Sequence, residues 1–351
     1  MTDAARFRVA LVGYGLSGSV FHGPLLAATH GLTVTTIVTA DPARAGRARR
    51  DFPGAQVVAS PDEVWGRAED HDLVVVASTT GTHVSLATAA VDAGLAVVVE
   101  KPLAPTVGPA RALVERAAAA QVMLTVFHNR RWDAEHRTLQ RLVAEGAIGD
   151  VVRYESRFER WRPQRAPGAW REELSTDDGG GVLNDLGVHL VDQACTVLGP
   201  VSGVYAEVAS RRGGSDDDVF VALRHRSGAH AHLWASAVAA APGPRLRVLG
   251  SEAGYVVEHL DGQEDALRAG RRPDEVGFGQ VPPERWGRLV RGDRSDPVPS
   301  EPGCWLAFYQ QVVRALRDEG PPPVDPGDAL ATLEVLEAAR RSSAQAAVVT
   351  L

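Results

Sequence analysis

A glycine-rich turn between an apolar run and a helical segment constrains the fold of this chain more than any other feature. Phe7 to Val12 is typical of a buried parallel strand. A GxGxxG pattern in this context predicts a strand–turn–helix unit: the first glycine permits a tight turn, the second lets a pyrophosphate approach, and the third lets the helix pack on the strand. The alternative is a glycine turn without a ligand. We take the turn as a dinucleotide site formed by Gly13, Tyr14, Gly15, Leu16, Ser17 and Gly18.

Strands and helices alternate along the first third of the chain. Further apolar or β-branched runs occur at residues 32–39, 73–77, 96–99 and 122–127, separated by segments of helical character. This spacing predicts βαβ units, and therefore an α/β fold in which a doubly wound parallel sheet has helices on both faces. We place this Rossmann domain at residues 1–126.

The pattern changes near residue 127. Consecutive strands joined by short turns such as Arg226-Ser227-Gly228 predict a mostly antiparallel sheet in a second α/β domain at 127–351. Residues 261–300 are rich in Gly, Pro, Arg and Asp, and we expect an irregular surface segment there.

Composition excludes several classes of protein. A length of 351 residues suits about two domains, and 44% hydrophobic with 23% charged residues is typical of a globular protein. A net charge of −7 argues against nucleic-acid binding. Two cysteines without metal-ligand spacing predict neither a zinc site nor a disulfide framework, and we expect no metal. With no leader pattern and no long apolar run, we expect a cytoplasmic protein without a membrane partner.

A second glycine-rich segment precedes a carboxylate and an imidazole. Gly179-Gly180-Gly181 leads into what reads as a helix start, with Asp185 and His189 four residues apart and so on one helical face. An acid and a base directed into one cleft suit proton transfer at a hydroxyl or carbonyl. The alternative is that Asp185 caps the helix and His189 is a satisfied core residue.

The end of the second strand bears on the choice between NAD and NADP. An acidic residue there binds the ribose 2′-hydroxyl of NAD. Asp41 is a candidate, although its place before Pro42 also suits a helix cap. If Thr39 takes the ribose position, no carboxylate repels a 2′-phosphate, and Arg44 can reach one. We therefore expect NADP or NAD, with NADP favoured.

Polar residues follow the later strands at the sheet edge where ligands bind in doubly wound folds. The ammonium of Lys101 suits stabilisation of a developing oxyanion, and the alternative is a surface lysine that begins a loop. Residues after the fourth strand either line the nicotinamide ribose or cap the next helix through Thr82. The candidate cofactor contacts at this edge are Ser78, Thr79, Thr80, His83, Glu100 and Lys101.

Substrate contacts are expected from residues that follow the last parallel strand and from a tryptophan-rich stretch. Arg130 suits substrate hydroxyls or a phosphate, and a solvated arginine is the alternative. Trp161 and Trp170 suit a pocket wall or plain sheet packing. The candidate substrate residues are His128, Asn129, Arg130, Trp161 and Asp178.

Three motifs together resemble the Gfo/Idh/MocA family of oxidoreductases. They are the Gly13 fingerprint, Glu100-Lys101-Pro102, and the triple glycine that runs into Asp185 and His189. Residues 15–24, 127–133 and 154–160 resemble its NADP-linked scyllo-inositol 2-dehydrogenase-like branch. One departure is that this branch often carries arginine beside the second strand, where this chain has Ala40 and Asp41.

The resemblance implies NAD(P)-dependent hydride transfer at a carbon of an inositol, sugar or related polyol. It implies catalytic Lys101, Asp185 and His189, an open face on the second sheet, a homodimer or homotetramer formed through that sheet, and a cis Lys101–Pro102 bond. The alternatives are a dinucleotide-binding sensor without turnover, and a glycoside-cleaving enzyme that uses transient oxidation.

Overall fold

The computed structural model describes residues 6–165, 174–175 and 178–351. The chain divides into two compact units. The first contains the chain up to Asn129 together with Gln263–Phe278 and Cys304–Leu330; the second contains Arg130–Gly262, Gly279–Gly303 and Ala331–Leu351. The sequence-based boundary after residue 126 differs from this division, because a single cut along the chain misses segments that return to the first unit.

The strands are numbered in chain order. They are β1 Phe7–Val12, β2 Leu32–Val38, β3 Gln56–Val58, β4 Leu73–Val76, β5 Ala96–Val99, β6 Leu124–Val126, β7 Val151–Glu159, β8 Val201–Ala209, β9 Asp218–His225, β10 His230–Ser236, β11 Leu246–Gly250, β12 Gly254–Val257, β13 Arg288–Arg291, β14 Arg294–Pro297 and β15 Val349–Thr350.

The α-helices are numbered in the same way. They are α1 Gly23–Ala28, α2 Pro42–Asp51, α3 Asp62–Trp65, α4 His83–Asp92, α5 Val107–Ala119, α6 Ala134–Ala144, α7 Val188–Leu198, α8 Gln263–Arg268, α9 Leu306–Leu316 and α10 Pro326–Gln345. Two π-helical turns lead directly into α-helices: Ser17–His22 precedes α1 and Leu183–Gly187 precedes α7. Among the described residues, no helix combines the length and apolar composition that a membrane crossing requires.

The first unit contains a six-stranded parallel sheet in the order β3-β2-β1-β4-β5-β6. Strand β4 is fully buried and β5 is buried apart from Ala96, which explains their near-continuous valine and leucine runs. The strand order reverses between β1 and β4, which is where open α/β sheets bind ligands at their carboxyl ends. The registers Val12↔Val76 and Val76↔Val99 bring the loops after β1, β4 and β5 to this edge. The predicted doubly wound fold is confirmed.

The second unit contains a nine-stranded sheet in the order β14-β13-β12-β11-β7-β10-β9-β8-β15. Only β7 and β10 pair in parallel among its described strands; the other pairs are antiparallel, as predicted. Strand β10 buries Ala231, Leu233 and Ala235, while His232 and Trp234 on the opposite face stay half-buried. This alternation is the period-2 signature of a sheet with one covered face.

The prediction of an irregular surface segment at residues 261–300 was wrong in part. Helix α8 and the β13–β14 hairpin lie within it, and β13 pairs with β12 to extend the second sheet. The hairpin strands carry mainly Arg, Ser and Asp. These residues suit a charged sheet edge, but they give little apolar alternation from which a strand can be predicted.

Candidate active site

The three glycines of the turn after β1 differ in the space around them: Gly13 and Gly18 leave no room for a side chain, whereas Gly15 does. Gly13 has φ +101°, and a Cβ there would lie 2.6 Å from the carbonyl oxygen of Ala77. A Cβ on Gly18 would lie 2.1 Å from the carbonyl oxygen of Gly13. A Cβ on Gly15 would have Arg44 Nη1 as its nearest neighbour, at 3.7 Å, which is an ordinary van der Waals contact. The backbone can therefore be approached at Gly15, beside a guanidinium, and such a cradle fits the phosphates of a dinucleotide.

The side chains of the turn point in different directions. Tyr14 is buried, and its hydroxyl donates to Asp51 Oδ2 at 2.8 Å. Burial together with this hydrogen bond raises the pKa of Tyr14, so it stays neutral. Leu16 is 42% exposed and remains accessible to a ligand. Tyr14 can therefore contact a dinucleotide only through its backbone, whereas Leu16 can do so through its side chain.

Asp41 caps α2. Its carboxylate accepts a hydrogen bond from the backbone N–H of Arg44 at 2.8 Å, and Pro42 occupies the first helical turn. This is the cap arrangement that the Asp-Pro pair suggested. Thr39, whose N–H donates to the Val58 carbonyl, is half-buried at the end of β2. The carboxylate nearest the predicted ribose position is thus engaged by the helix.

Glu100 connects the loop after β5 with the glycine turn. Its Oε1 accepts from the Ser17 hydroxyl at 2.6 Å, and its Oε2 accepts from the backbone N–H of Lys101 at 2.7 Å. His22 Nε2 lies 3.5 Å from Oε1. Burial alone would raise the pKa of Glu100, but the neighbouring His22 ring, with smaller contributions from Lys101 and Ser17, lowers it to about 2. The carboxylate is therefore ionised and fixes Ser17 and the Lys101 backbone to one point.

His83 connects two loops at the same sheet edge. One ring nitrogen lies 2.9 Å from the Pro102 carbonyl oxygen and the other 3.3 Å from that of Ser78. Burial lowers the pKa of His83, so the neutral ring donates to one of these carbonyls. The Thr82 hydroxyl donates to the Thr79 carbonyl and makes no side-chain cap for α4. The buried His83 ring therefore connects the loop after β4 with the loop after β5.

The remaining predicted residues at this edge differ in exposure. Thr80 is buried in the short 3₁₀ turn before α4. Lys101 is half-buried and precedes a cis Lys101–Pro102 peptide bond, as the resemblance implied. The Ser78 hydroxyl bonds to that of Thr82 at 2.7 Å.

A remote aspartate caps the helical segment that carries the predicted catalytic pair. Asp216 Oδ2 accepts from the backbone N–H of Leu183 at 2.7 Å, and the Asp216 carbonyl accepts from Val182. Gly181 has φ +91°, and a Cβ there would lie 2.0 Å from Asp216 Oδ1. Burial raises the pKa of Asp216, although the Leu183 N–H opposes the shift. The triple glycine therefore ends at a position where only glycine leaves room for the Asp216 carboxylate.

His189 lies in the first turn of α7 and is buried. Its ring packs against Phe158, with centroids 6.3 Å apart and planes at 61°. The Arg130 guanidinium lies over the same Phe158 ring, 4.9 Å from its centroid. Asp185 is half-buried in the preceding π-helical turn, a rare geometry that is frequent at functional sites. Phe158 thus brings two predicted site residues, His189 and Arg130, around one ring.

The other predicted substrate residues are placed in different ways. His128 and Asn129 are buried directly after β6. Trp161 is 57% exposed, which excludes core packing as its role. Asp178 is exposed, and Trp170 lies outside the described residues.

Arg130 is buried beside the carboxyl group of Asp133, which is buried as well. Its Nη1 lies 3.3 Å from Asp133 Oδ2. Burial raises the pKa of Asp133 well above its ordinary range, against the opposing charge of Arg130.

The sequence did not point to the residues that support Arg130 and the segment with Asp185 and His189. Asp216 belongs to the run Asp216-Asp217-Asp218, which follows Gly213-Gly214 closely. This run was the one sequence feature that could have indicated a structural role for Asp216. Buried Arg245 and Gln193 gave no signal of their own. The described residues contain no group of three His, Cys, Asp or Glu side chains able to hold a metal ion.

Comparison with known proteins places both parts of the chain. Residues 7–128 match the model of an oxidoreductase family with an NAD-binding Rossmann fold, and residues 136–256 match the GFO/IDH/MocA C-terminal domain. The two models together cover more than half of the chain.

Relatives match over nearly the full length. The NADP(+)-linked scyllo-inositol 2-dehydrogenase of Bacillus subtilis is 34% identical over 98% of this chain and 96% of the relative. An uncharacterised oxidoreductase of Escherichia coli is 36% identical over 98% of both chains. The solved structure of an oxidoreductase from Bacillus subtilis superposes with a TM-score of 0.93 at 33% identity and covers 100% of both chains.

Proposed function

The chain belongs to the Gfo/Idh/MocA family of NAD(P)-dependent oxidoreductases that act on CH–OH groups, and from this premise we propose that it oxidises or reduces one ring carbon of an inositol, a sugar or a related polyol. The observation that carries the proposal is the glycine turn, closed at Gly13 and Gly18 and open at Gly15. A bound dinucleotide supplies a nicotinamide ring that accepts or donates hydride.

The proton and the charge are assigned to three side chains. His189 takes the proton of the reacting hydroxyl during oxidation and returns it during reduction, since an imidazole exchanges protons near neutral pH. The Lys101 ammonium donates a hydrogen bond to the same oxygen and stabilises its developing negative charge. Asp185 orients the imidazole. The Glu100 carboxylate supports this scheme because it fixes the Lys101 backbone at 2.7 Å.

Cofactor contacts are assigned to the edge residues already described. The phosphates bind the backbone of residues 13–18, and the nicotinamide half binds near Ser78, Thr79, Thr80 and Lys101. His83 and Glu100 act by holding these loops in place. Substrate contacts are assigned to His128, Asn129, Arg130, Trp161 and Asp178, with the exposed indole of Trp161 offering an apolar surface to ring C–H groups.

We propose NADP as the preferred dinucleotide. Asp41 is engaged as the α2 cap, and the Arg44 guanidinium lies beside Gly15, where it can bind a 2′-phosphate. Arg44→Ala should weaken NADPH binding by ~10-fold, about the value of one charge-assisted hydrogen bond, and change NADH binding less than twofold. Arg50→Ala on the same helix is the matched control. Equal losses for both dinucleotides in Arg44→Ala would contradict the assignment.

We further propose a homodimer or homotetramer formed through the open face of the second sheet. Phe220 and Trp234 lie on this face with ring centroids 5.2 Å apart, and the Arg157 guanidinium lies 3.9 Å over the Trp234 ring. Such a half-buried aromatic patch is typical of an interface. Light scattering should report a smaller species for Trp234→Glu than for the wild type, and an unchanged mass would contradict this interface.

The reaction itself is tested with a substrate panel. The protein is mixed with NADPH or NADH and a panel of inososes and ketoses, and with the oxidised dinucleotides and the corresponding polyols. Consumption of NADPH with at least one ketone is the expected result. Tight dinucleotide binding without turnover over the whole panel would contradict the proposal and favour a sensor. Release of nitrophenol from a nitrophenyl glycoside would instead indicate glycoside cleavage.

A further inference from the structure

A buried arginine connects three elements of the second unit. Arg245, just before β11, is 4% exposed. Its Nε lies 3.2 Å from Glu135 Oε1 on α6, its Nη2 donates to Gln193 Oε1 on α7 at 2.9 Å, and its Nη1 donates to the Ser156 hydroxyl on β7. A planar guanidinium can reach three partners in fixed directions at once, which a lysine ammonium cannot reproduce.

Two contacts of Arg245, to Gln193 and to Phe158, lead to residues of the proposed site. Gln193 follows His189 by four residues on α7, and its Nε2 donates to the Arg130 carbonyl at 2.7 Å. The Arg245 guanidinium also lies 4.2 Å from the centroid of the Phe158 ring, which packs against His189 at 6.3 Å. Arg245 therefore contacts Gln193, which bonds to the Arg130 backbone, and Phe158, which packs against the His189 ring.

The cost of burying this guanidinium indicates that it has a function beyond packing. A buried ion pair is often replaceable by apolar residues without loss of stability. Glu135 is buried beside Arg245, and burial raises its pKa while Arg245 opposes the shift. Fold stability alone thus gives little reason to keep the pair, whereas fixed hydrogen-bond directions toward Gln193 and Ser156 give a geometric one.

We propose that Arg245 is a positioning residue for the reaction, which sets the orientation of His189 through Phe158 and the place of Arg130 through Gln193. This inference rests on the proposed function. When the Arg245 guanidinium contacts are lost, the His189 ring and the Arg130 backbone can move. As a result kcat falls because of His189, and KM rises because of Arg130. Dinucleotide affinity, which depends on residues of the first unit, stays unchanged.

The test compares Arg245→Lys with Arg247→Lys, a matched change two residues later on β11. Arg247 is half-buried and pairs with Glu155 at 2.8 Å. Arg245→Lys should lower kcat/KM at least 10-fold, with both kcat and KM affected, and leave the NADPH dissociation constant within twofold. Arg247→Lys should change none of these by more than twofold.

A spectroscopic readout separates positioning from general destabilisation. The imidazole signal of His189, assigned by its loss in His189→Asn, should shift in Arg245→Lys in the direction it shifts in Phe158→Leu. It should stay in place in Arg247→Lys. An unchanged His189 signal, or a kcat/KM within twofold of the wild type, would overturn the proposal.

A second variant covers the case in which Arg245→Lys does not fold. In Arg245→Met/Glu135→Met both charges leave together, and the thermal midpoint should stay close to that of the wild type. We expect a low kcat/KM in this folded variant, and a wild-type kcat/KM would overturn the role of Arg245. His189→Ala is measured alongside: full activity there would contradict the proposed function itself, whereas an inactive His189→Ala beside a fully active Arg245 variant would overturn only the role of Arg245.

Discussion

The two glycine-rich segments of this protein require glycine because of different contacts. The turn at residues 13–18 is determined by close backbone packing: an added Cβ at Gly18 would meet the Gly13 carbonyl oxygen of the same turn, and one at Gly13 would meet the Ala77 carbonyl oxygen after the neighbouring strand β4. The turn before α7 is determined from a distance, because Gly181 and Leu183 meet Asp216, 33 residues beyond Leu183. The first kind of site can be predicted from a local motif, and the second becomes visible only in the fold.

The largest expected effect comes from filling the first turn. Gly18→Ala places a Cβ 2.1 Å from the Gly13 carbonyl oxygen, which must displace the turn. We expect NADPH affinity to fall at least ~100-fold, or about 2.7 kcal/mol. Gly108→Ala, at a helical glycine with open space around it, is the control and should keep wild-type affinity. Titration calorimetry measures both, and tight binding by Gly18→Ala would show that the turn does not form the site.

The next largest effect concerns Glu100, which links this turn to Lys101. A shift from the ordinary pKa of 4.5 to about 2 corresponds to about 3 kcal/mol of stability at neutral pH. Because the folded pKa is the lower one, this contribution is complete well above pH 4.5 and is lost as the pH falls toward 2. Glu100→Gln should therefore be destabilised by about that amount at pH 7 and by roughly half of it at pH 3. Urea unfolding at both pH values provides the measurement, and a difference independent of pH would contradict the assignment.

A smaller effect tests whether Asp216 constrains the glycine turn before α7. Gly181→Ala combines a positive φ with a contact to Asp216, and should cost about 2 kcal/mol of unfolding free energy. In an Asp216→Ala background the same substitution should cost markedly less, because the carboxylate is gone. A double-mutant cycle by urea unfolding measures this coupling. Strict additivity would mean that Asp216 does not constrain Gly181.

The smallest effect concerns the α2 cap. Asp41→Ala should lower stability by about 1 kcal/mol, and Asp41→Ser should restore most of the loss because serine also caps. NADH affinity should stay within twofold in both variants. A selective loss of NADH affinity would instead assign Asp41 to the ribose.

The sequence predicted the features that local rules determine. The parallel sheet followed from the spacing of apolar runs such as Leu73–Val76, and the cap at Asp41 followed from the Asp-Pro pair. The antiparallel pairing of most of the second sheet followed from short turns. Lys101, Asp185 and His189 remain predictions as a catalytic group, because their roles depend on bound molecules.

The rest depends on contacts between residues far apart in sequence. Arg245 and Glu135 are 110 positions apart (245 − 135), and nothing local to either predicts their ion pair. The polar β13–β14 hairpin forms because β12 offers an edge for pairing, although its own residues lack apolar alternation. The side-chain link from Glu100 to Ser17 likewise joins two motifs that the sequence presents separately.

The most direct test of the account is a steady-state measurement of NADPH-dependent ketone reduction by the wild type, Lys101→Ala and His189→Ala, with NADPH affinity measured for each. We predict that the wild type turns over at least one inosose or ketose, and that each variant loses ~100-fold or more in kcat while still binding NADPH. Full activity in both variants would contradict it.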